Sequence, residues 1–160
     1  MKSTVFAPLA LALATLALGG CNDKKVPAAG EMADAPEGIS VTDARLVLPA
    51  VKGNPGAVYF TLHNDSASAE TVENAGVKGA ASAMIHQTEM ANGMSGMHEM
   101  GQVTVPAKGT LAFAPGGLHV MAMDLDDTLS KGGTTDVTLA FKSGEKAMFP
   151  AEILAAGDAR

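Results

Sequence analysis

Histidine and methionine are concentrated in one segment of this 160-residue chain. Three of the four histidines and seven of the ten methionines lie between Met84 and Met123, among glycines and with a single aromatic residue. Imidazole nitrogen is a borderline metal ligand, and thioether sulfur is a soft, neutral ligand that suits monovalent copper. The segment therefore predicts a binding site for Cu(I).

Four of these residues follow a recognisable spacing. Ten residues separate His86 from Met97, 21 residues separate Met97 from His119, and one residue separates His119 from Met121. This H-x10-M-x21-H-x-M pattern resembles that of the PCu(A)C family of periplasmic copper chaperones. The resemblance implies that these two histidines and two methionines are the ligands of one Cu(I) ion.

The resemblance extends over roughly residues 39–153. It includes GAVYFTLHND, VPAKGTLAFAPGGLHVMAM and TTDVTLAFKSGE, and it implies a cupredoxin-like Greek-key fold. Ala122 and Asp124 stand where the family more often has a larger apolar residue and a glycine, and Ile85 where many members have methionine. The resemblance also implies delivery of copper to cytochrome c oxidase assembly at the CuA centre, with oxidase subunit II or another assembly factor as the acceptor.

Short runs rich in Val, Thr, Leu and Phe predict β-structure in residues 39–155. Turn sequences such as GNPG, NDSA, PGG and SKGG separate the runs, which are ISVTDARLVL, AVYFTLHN, AETVENAGV, SAMIHQTEM, GQVTVPA, GTLAFAP, LHVMAMDL and TDVTLAFKS. Short strands at such intervals are typical of a β-sandwich or barrel. About 120 residues suffice for one domain with a single core.

Alternation along LHVMAMD predicts which side chains share a strand face. His119, Met121 and Met123 lie two residues apart, so they should project from the same side of the strand. His119 and Met121 can then face one ion, while Met123 is placed as a packing or second-shell neighbour. His98 is a further second-shell candidate, although as the neighbour of Met97 it would point the opposite way on an extended segment. His63, in TLHND, is expected at the surface without a role.

The connection that contains Met97 has two interpretations. Four methionines fall at helix-like intervals, at positions 90, 94, 97 and 100, which would give one apolar stripe on an amphipathic helix. Gly93 and Gly96 would cost so short a helix about 2 kcal/mol relative to alanine. We therefore expect a flexible loop, whose other methionines either pass copper inward or have no part in binding.

The first 38 residues predict export and lipidation. Residues 1–20 combine Lys2 with a short, alanine-rich apolar stretch, as in a signal peptide. Leu18, Gly19, Gly20 and Cys21 resemble the lipobox of bacterial lipoproteins, in which the cysteine is acylated. Residues 21–38, rich in Ala, Pro and Gly, would form a flexible tether. The expected location is the bacterial cell envelope, lipid-anchored to a membrane and facing the periplasm.

Composition excludes several classes of function. Cys21 is the single cysteine, so the folded domain has no internal disulfide and no thiolate ligand, which blue-copper electron-transfer centres require. A net charge of −6 makes nucleic acid an unsuitable partner. The chain has no nucleophile motif, phosphate-binding loop or acid/base pair that would indicate an enzyme.

Two alternatives to a copper chaperone remain open on the sequence alone. The first is a protein that holds copper for sequestration or resistance, with the same ligands but without delivery. The second is a structural β-sandwich lipoprotein whose exposed methionines act as an oxidant sink, since thioethers cycle through the sulfoxide. The second alternative requires no particular arrangement of histidines.

Overall fold

A computed structural model describes residues 32, 34–91 and 94–158 of the chain. Within these residues the secondary structure is entirely β, and none of them forms a helix that is both long and apolar enough to cross a membrane. The predicted signal peptide, Cys21 and most of the predicted tether lie outside the described residues. The strands are β1 (Ile39–Val47), β2 (Gly56–Asn64), β3 (Glu70–Val77), β4 (Ala80–Ala91), β5 (Met94–Glu99), β6 (Val103–Val105), β7 (Gly109–Phe113), β8 (Leu118–Leu125), β9 (Thr134–Phe141) and β10 (Lys146–Leu154).

Hydrogen bonds join these ten strands in one sheet. The order is β5-β4-β8-β7-β2-β1-β10-β9-β3-β6, with an additional pairing of β8 with β2. The β1–β10 and β7–β8 pairs are parallel, and the other pairs are antiparallel. β4 and β3 lie near opposite ends of this strand order but contact each other, so the sheet folds back on itself. Neighbours that are not consecutive in sequence are typical of Greek-key folds, and the predicted all-β, cupredoxin-like class is confirmed.

Strict alternation in β2 places apolar residues in the core and polar residues outside. Val58, Phe60 and Leu62 are buried, and the residues between them are partly exposed. The Phe60 ring stacks on Phe113 at 4.2 Å between centroids and meets Phe149 at 5.2 Å. Phe60 thus joins three of the core's aromatic rings in one cluster.

Two strands were not predicted from the sequence. The sequence pattern predicts no strand after residue 143, but residues 146–154 form β10, which pairs with both β9 and β1. Pro150 lies within β10 and lacks a backbone N–H, so it argues against a fully paired strand. β1 pairs with β10 only at residues 152–154, which leaves one side of β10 without a β1 partner at Pro150. The other unpredicted strand, β5, carries a candidate ligand.

Candidate metal centre

The two histidines of the motif lie directly opposite each other on adjacent antiparallel strands. His86 in β4 pairs with His119 in β8. Directly opposed residues project from the same face of a sheet, and the ring centroids are 6.1 Å apart with an interplanar angle of 48°. On the other face Ile85 and Val120 point into the core. The sheet therefore presents both imidazoles together, outside the core.

A tight turn before β8 determines which His119 nitrogen is available. The Gly117 N–H donates to the Ala114 carbonyl, and Gly116 has a φ of +80°, which glycine adopts without strain. The Gly117 carbonyl accepts a hydrogen bond from His119 Nδ1 at 3.0 Å. A carbonyl oxygen only accepts, so Nδ1 carries the hydrogen and Nε2 keeps its lone pair. Metal-bound histidines are commonly oriented in this way.

His86 lacks the hydrogen bonds that a buried imidazole normally has. Both of its ring nitrogens are buried, and neither has a hydrogen-bond partner among the described residues. An unpaired buried polar group costs about 1–3 kcal/mol, so such groups are uncommon in folded proteins. A metal ion on one of these nitrogens would satisfy it. The donor set thus fits a bound cation.

The two predicted methionine ligands share the face of the histidines but lie on opposite sides of the pair. Met121 is two residues after His119 in β8 and opposite Met84 in β4, whereas Met97 in β5 is opposite Thr88. Ideal strand spacings separate the Cα atoms of Met97 and Met121 by roughly 16 Å. If both methionines bound one ion through metal–sulfur bonds of about 2.3 Å, their Cα atoms would lie about 13 Å apart with both side chains extended. Both sulfurs can reach one ion if the β4–β5 hairpin bends toward the histidines.

The expected flexible loop around Met97 is wrong, and so is the helical alternative. Residues 94–99 form β5, an edge strand that pairs with β4 from Ala91–Met94 to His86–Glu99. The missed signal is the Asn92-Gly93 dipeptide between the paired Ala91 and Met94, because Asn-Gly is favoured in two-residue hairpin connections. All six β5 residues are exposed, and Met97 is 54% exposed. Met97 therefore lies on an accessible hairpin arm.

The remaining candidates occupy different positions around the site. Met123 shares the face of His119 and Met121 and lies opposite Ser82. His98 pairs with Gln87 and therefore faces away from Met97 and the histidine pair. His63 shares one hydrogen bond between its Nε2 and Thr42 Oγ1 at 3.1 Å, and another between its Nδ1 and Thr110 Oγ1 at 3.3 Å. It is half-buried and links three strands, and it lies outside the candidate site.

An aromatic and a cationic side chain border the site. The Tyr59 ring centroid lies 6.2 Å from that of His119, and the Arg45 guanidinium lies 5.3 Å from the Tyr59 centroid. Burial raises the pKa of the Tyr59 phenol above its ordinary value of 10, and the positive charge of Arg45 opposes this rise. The phenol therefore stays neutral at physiological pH. It adds no anionic ligand to the site.

The donors available here are few and neutral. Among the described residues, no group of three or more His, Cys, Asp or Glu side chains could hold a metal ion. A site for hard divalent cations would need such a group of oxygen ligands. Two imidazoles surrounded by thioethers instead favour a soft, low-charge ion.

Comparisons with known proteins agree with this architecture. The family model described as "Putative lipoprotein LpqE-like" matches residues 39–153. The chain belongs to this family. A relative described as "Putative lipoprotein Lxx21020", from Leifsonia xyli subsp. xyli, is 30% identical to this LpqE-like chain over 145 residues, which are 90% of this chain and 83% of the relative.

Solved PCuAC domains share the fold of this LpqE-like chain. The copper-bound PCuAC domain from PmoF2 has a TM-score of 0.63 and 18% identity, over 76% of this chain and 96% of that domain. The solution structure of CuI-DR1885 from Deinococcus radiodurans has a TM-score of 0.59 and 31% identity, over 73% of this chain and 78% of that protein. The resemblance to PCu(A)C proteins inferred from the motif is thus confirmed.

One departure from the PCu(A)C pattern has a structural explanation. Asp124, where the family more often has glycine, has a φ of +49°. Glycine adopts positive φ without steric cost, and aspartate is one of the few other residues that tolerate it. Ala122 is fully buried opposite Gly56. Neither departure removes a candidate donor.

Proposed function

We propose that this protein is a lipid-anchored copper carrier of the bacterial cell envelope that binds one Cu(I) ion through His86, Met97, His119 and Met121. The observation that carries the proposal is the pairing of His86 with His119 on one sheet face, with both His86 ring nitrogens buried and unpartnered. The copper-bound state of similar PCuAC domains supports the choice of metal. Membership of a family described as lipoproteins supports the anchor at Cys21.

The position of each donor suits a carrier better than a permanent store. Four neutral ligands leave a bound Cu(I) site with a charge of +1, without the strong hold of thiolates. His119 and His86 lie on interior strands of the sheet, whereas Met97 lies on an exposed edge strand. An acceptor could replace the Met97 sulfur first and then take the ion by ligand exchange. We propose cytochrome c oxidase assembly at the CuA centre as the destination.

Replacing Met121 by leucine should weaken Cu(I) binding by about 100-fold or more, because a sulfur donor is lost. Leucine has a similar volume, so the fold should tolerate it. The measurement is anaerobic competition for Cu(I) against a chromophoric chelator. The matched control is Met148→Leu, since Met148 is an exposed methionine on β10, outside the site. Equal affinities of the two variants would favour the oxidant-sink alternative.

The affinity for Cu(I) should decrease as the pH falls from about 8 to 5, because protons compete with the metal for imidazole nitrogen. Thioethers bind no proton in this range. With two histidine ligands the affinity should fall by up to about 100-fold per pH unit at the acidic end, and His119→Ala should reduce that slope to about tenfold. Titrations across about pH 5 to 8 test this, and a pH-independent affinity would exclude histidine ligands.

Delivery is tested by mixing. Copper-loaded protein is combined anaerobically with the apo form of the soluble CuA domain of oxidase subunit II, and the copper content of each protein is measured after separation. A carrier should transfer copper to the acceptor. Retention of copper by this protein would favour sequestration.

A further inference from the structure

The sequences flanking the two histidines mirror each other. Met84 and His86 in β4 form a Met-x-His, and His119 and Met121 in β8 form a His-x-Met. Because the two strands are antiparallel, His86 lies opposite His119 and Met84 lies opposite Met121. All four side chains therefore project from one sheet face. They form a compact quartet on two adjacent strands, which we call the β4–β8 quartet.

The β4–β8 quartet has the dimensions of a four-coordinate site. With ideal strand spacings, each of its Cα atoms lies roughly 4 Å from the centre of the quartet in the plane of the sheet. Directly opposed residues have Cβ atoms about 4.5–5.5 Å apart, and methionine is flexible enough to turn its sulfur toward that centre. Met84 thus reaches the same ion as Met121 without any change in the backbone.

Met84 and Met97 differ in how firmly the sheet holds them. Met84 lies on β4, where it is paired with Met121 of β8, and it is half-buried. Met97 lies on the edge strand β5, is more than half exposed, and reaches the ion only through bending of the hairpin. One sulfur is fixed beside the histidines, and the other arrives from an exposed arm.

We propose that Met84 is a further copper donor, which completes a two-histidine, two-methionine site on the β4–β8 quartet whenever Met97 is displaced. Cu(I) then keeps four donors while Met97 exchanges with a ligand of the acceptor. Neither a proton nor an electron is transferred, since one thioether replaces another on a monovalent ion. This inference rests on the proposed function, because it requires that the two histidines bind Cu(I).

Leucine variants test the role of Met84 through anaerobic Cu(I) competition. Met84→Leu and Met97→Leu should each weaken binding by about tenfold, because each sulfur substitutes for the other. The double variant should lose about 1,000-fold, more than the product of the single losses, as expected for donors that replace each other. The controls are Met148→Leu and Met94→Leu, because Met94 is as exposed as Met97 but faces away from the histidines.

A spectroscopic readout distinguishes a ligand from a packing neighbour. On addition of Cu(I) to Met97→Leu, the NMR signal of the Met84 ε-methyl group should shift together with that of Met121. If Met84→Leu binds Cu(I) as the controls do and the Met84 methyl signal of Met97→Leu does not move, the role of Met84 is overturned while the proposed function stands. If the wild-type protein binds no Cu(I), both are overturned.

Discussion

Replacing His86 by leucine should make the metal-free protein more stable and at the same time strongly weaken copper binding. Both ring nitrogens of His86 are buried without a partner among the described residues, whereas an unfolded chain would hydrate them. Leucine carries no polar group, so the free energy of unfolding should rise by about 1–2 kcal/mol. Cu(I) affinity should fall by about 1,000-fold or more, because removing a ligand weakens metal binding more than removing a residue that only orients a ligand.

His63→Leu is the matched control for this experiment. The His63 ring is also half-buried on a strand, but both of its nitrogens are hydrogen-bonded, to Thr42 and Thr110. Its replacement should lower the free energy of unfolding by about 1 kcal/mol and leave copper affinity unchanged. Urea unfolding of both variants without metal provides the comparison. A loss of stability in His86→Leu as large as that in His63→Leu would contradict the argument that His86 is kept for metal binding.

The largest effect on stability is expected from Phe60→Ala. Phe60 is 1% exposed and contacts both Phe113 and Phe149, so truncation leaves a cavity at the centre of the core. The free energy of unfolding should fall by about 3–5 kcal/mol, a large part of the total for a domain of this size. Phe60→Leu, which keeps most of the apolar volume, should cost considerably less.

Phe60→Ala also separates folding from binding. The metal-binding face lies on the other side of the sheet from Phe60, so the folded fraction should keep its copper affinity. Added Cu(I) should then raise the thermal midpoint of the variant, because the ion binds the folded state preferentially. A loss of less than about 1 kcal/mol on truncation would contradict the assigned core.

The fold could be predicted from the sequence wherever alternation and turn residues agreed. β2 is an example, since its buried residues recur at every second position and a loop containing glycine and proline precedes it. β10 was missed because Pro150 interrupts it, and whether a sheet tolerates a proline depends on which neighbours pair with it. β5 was not predicted because Gly93 and Gly96 favoured a flexible loop, although Asn-Gly at positions 92 and 93 is also typical of a hairpin.

The site could be predicted as a set of residue types but not as a set of contacts. The shared face of His119 and Met121 follows from their spacing of two residues. The opposition of His86 to His119, and of Met84 to Met121, depends on the register of two strands that are distant in sequence. The Gly117 carbonyl that orients His119 is also fixed only by the folded turn. Strand register and turn geometry therefore decide which of these side chains contact each other, and residue spacing alone does not determine them.

The most direct test of the copper site is X-ray absorption of the Cu(I)-loaded protein. The extended fine structure should contain a shell of two nitrogen atoms at about 2.0 Å and a shell of two sulfur atoms at about 2.3 Å, typical of imidazole and sulfur ligands. The nitrogen shell should shrink to one atom in His86→Leu. A spectrum with sulfur alone, or a nitrogen shell unchanged by this substitution, would contradict a centre built on the His86–His119 pair.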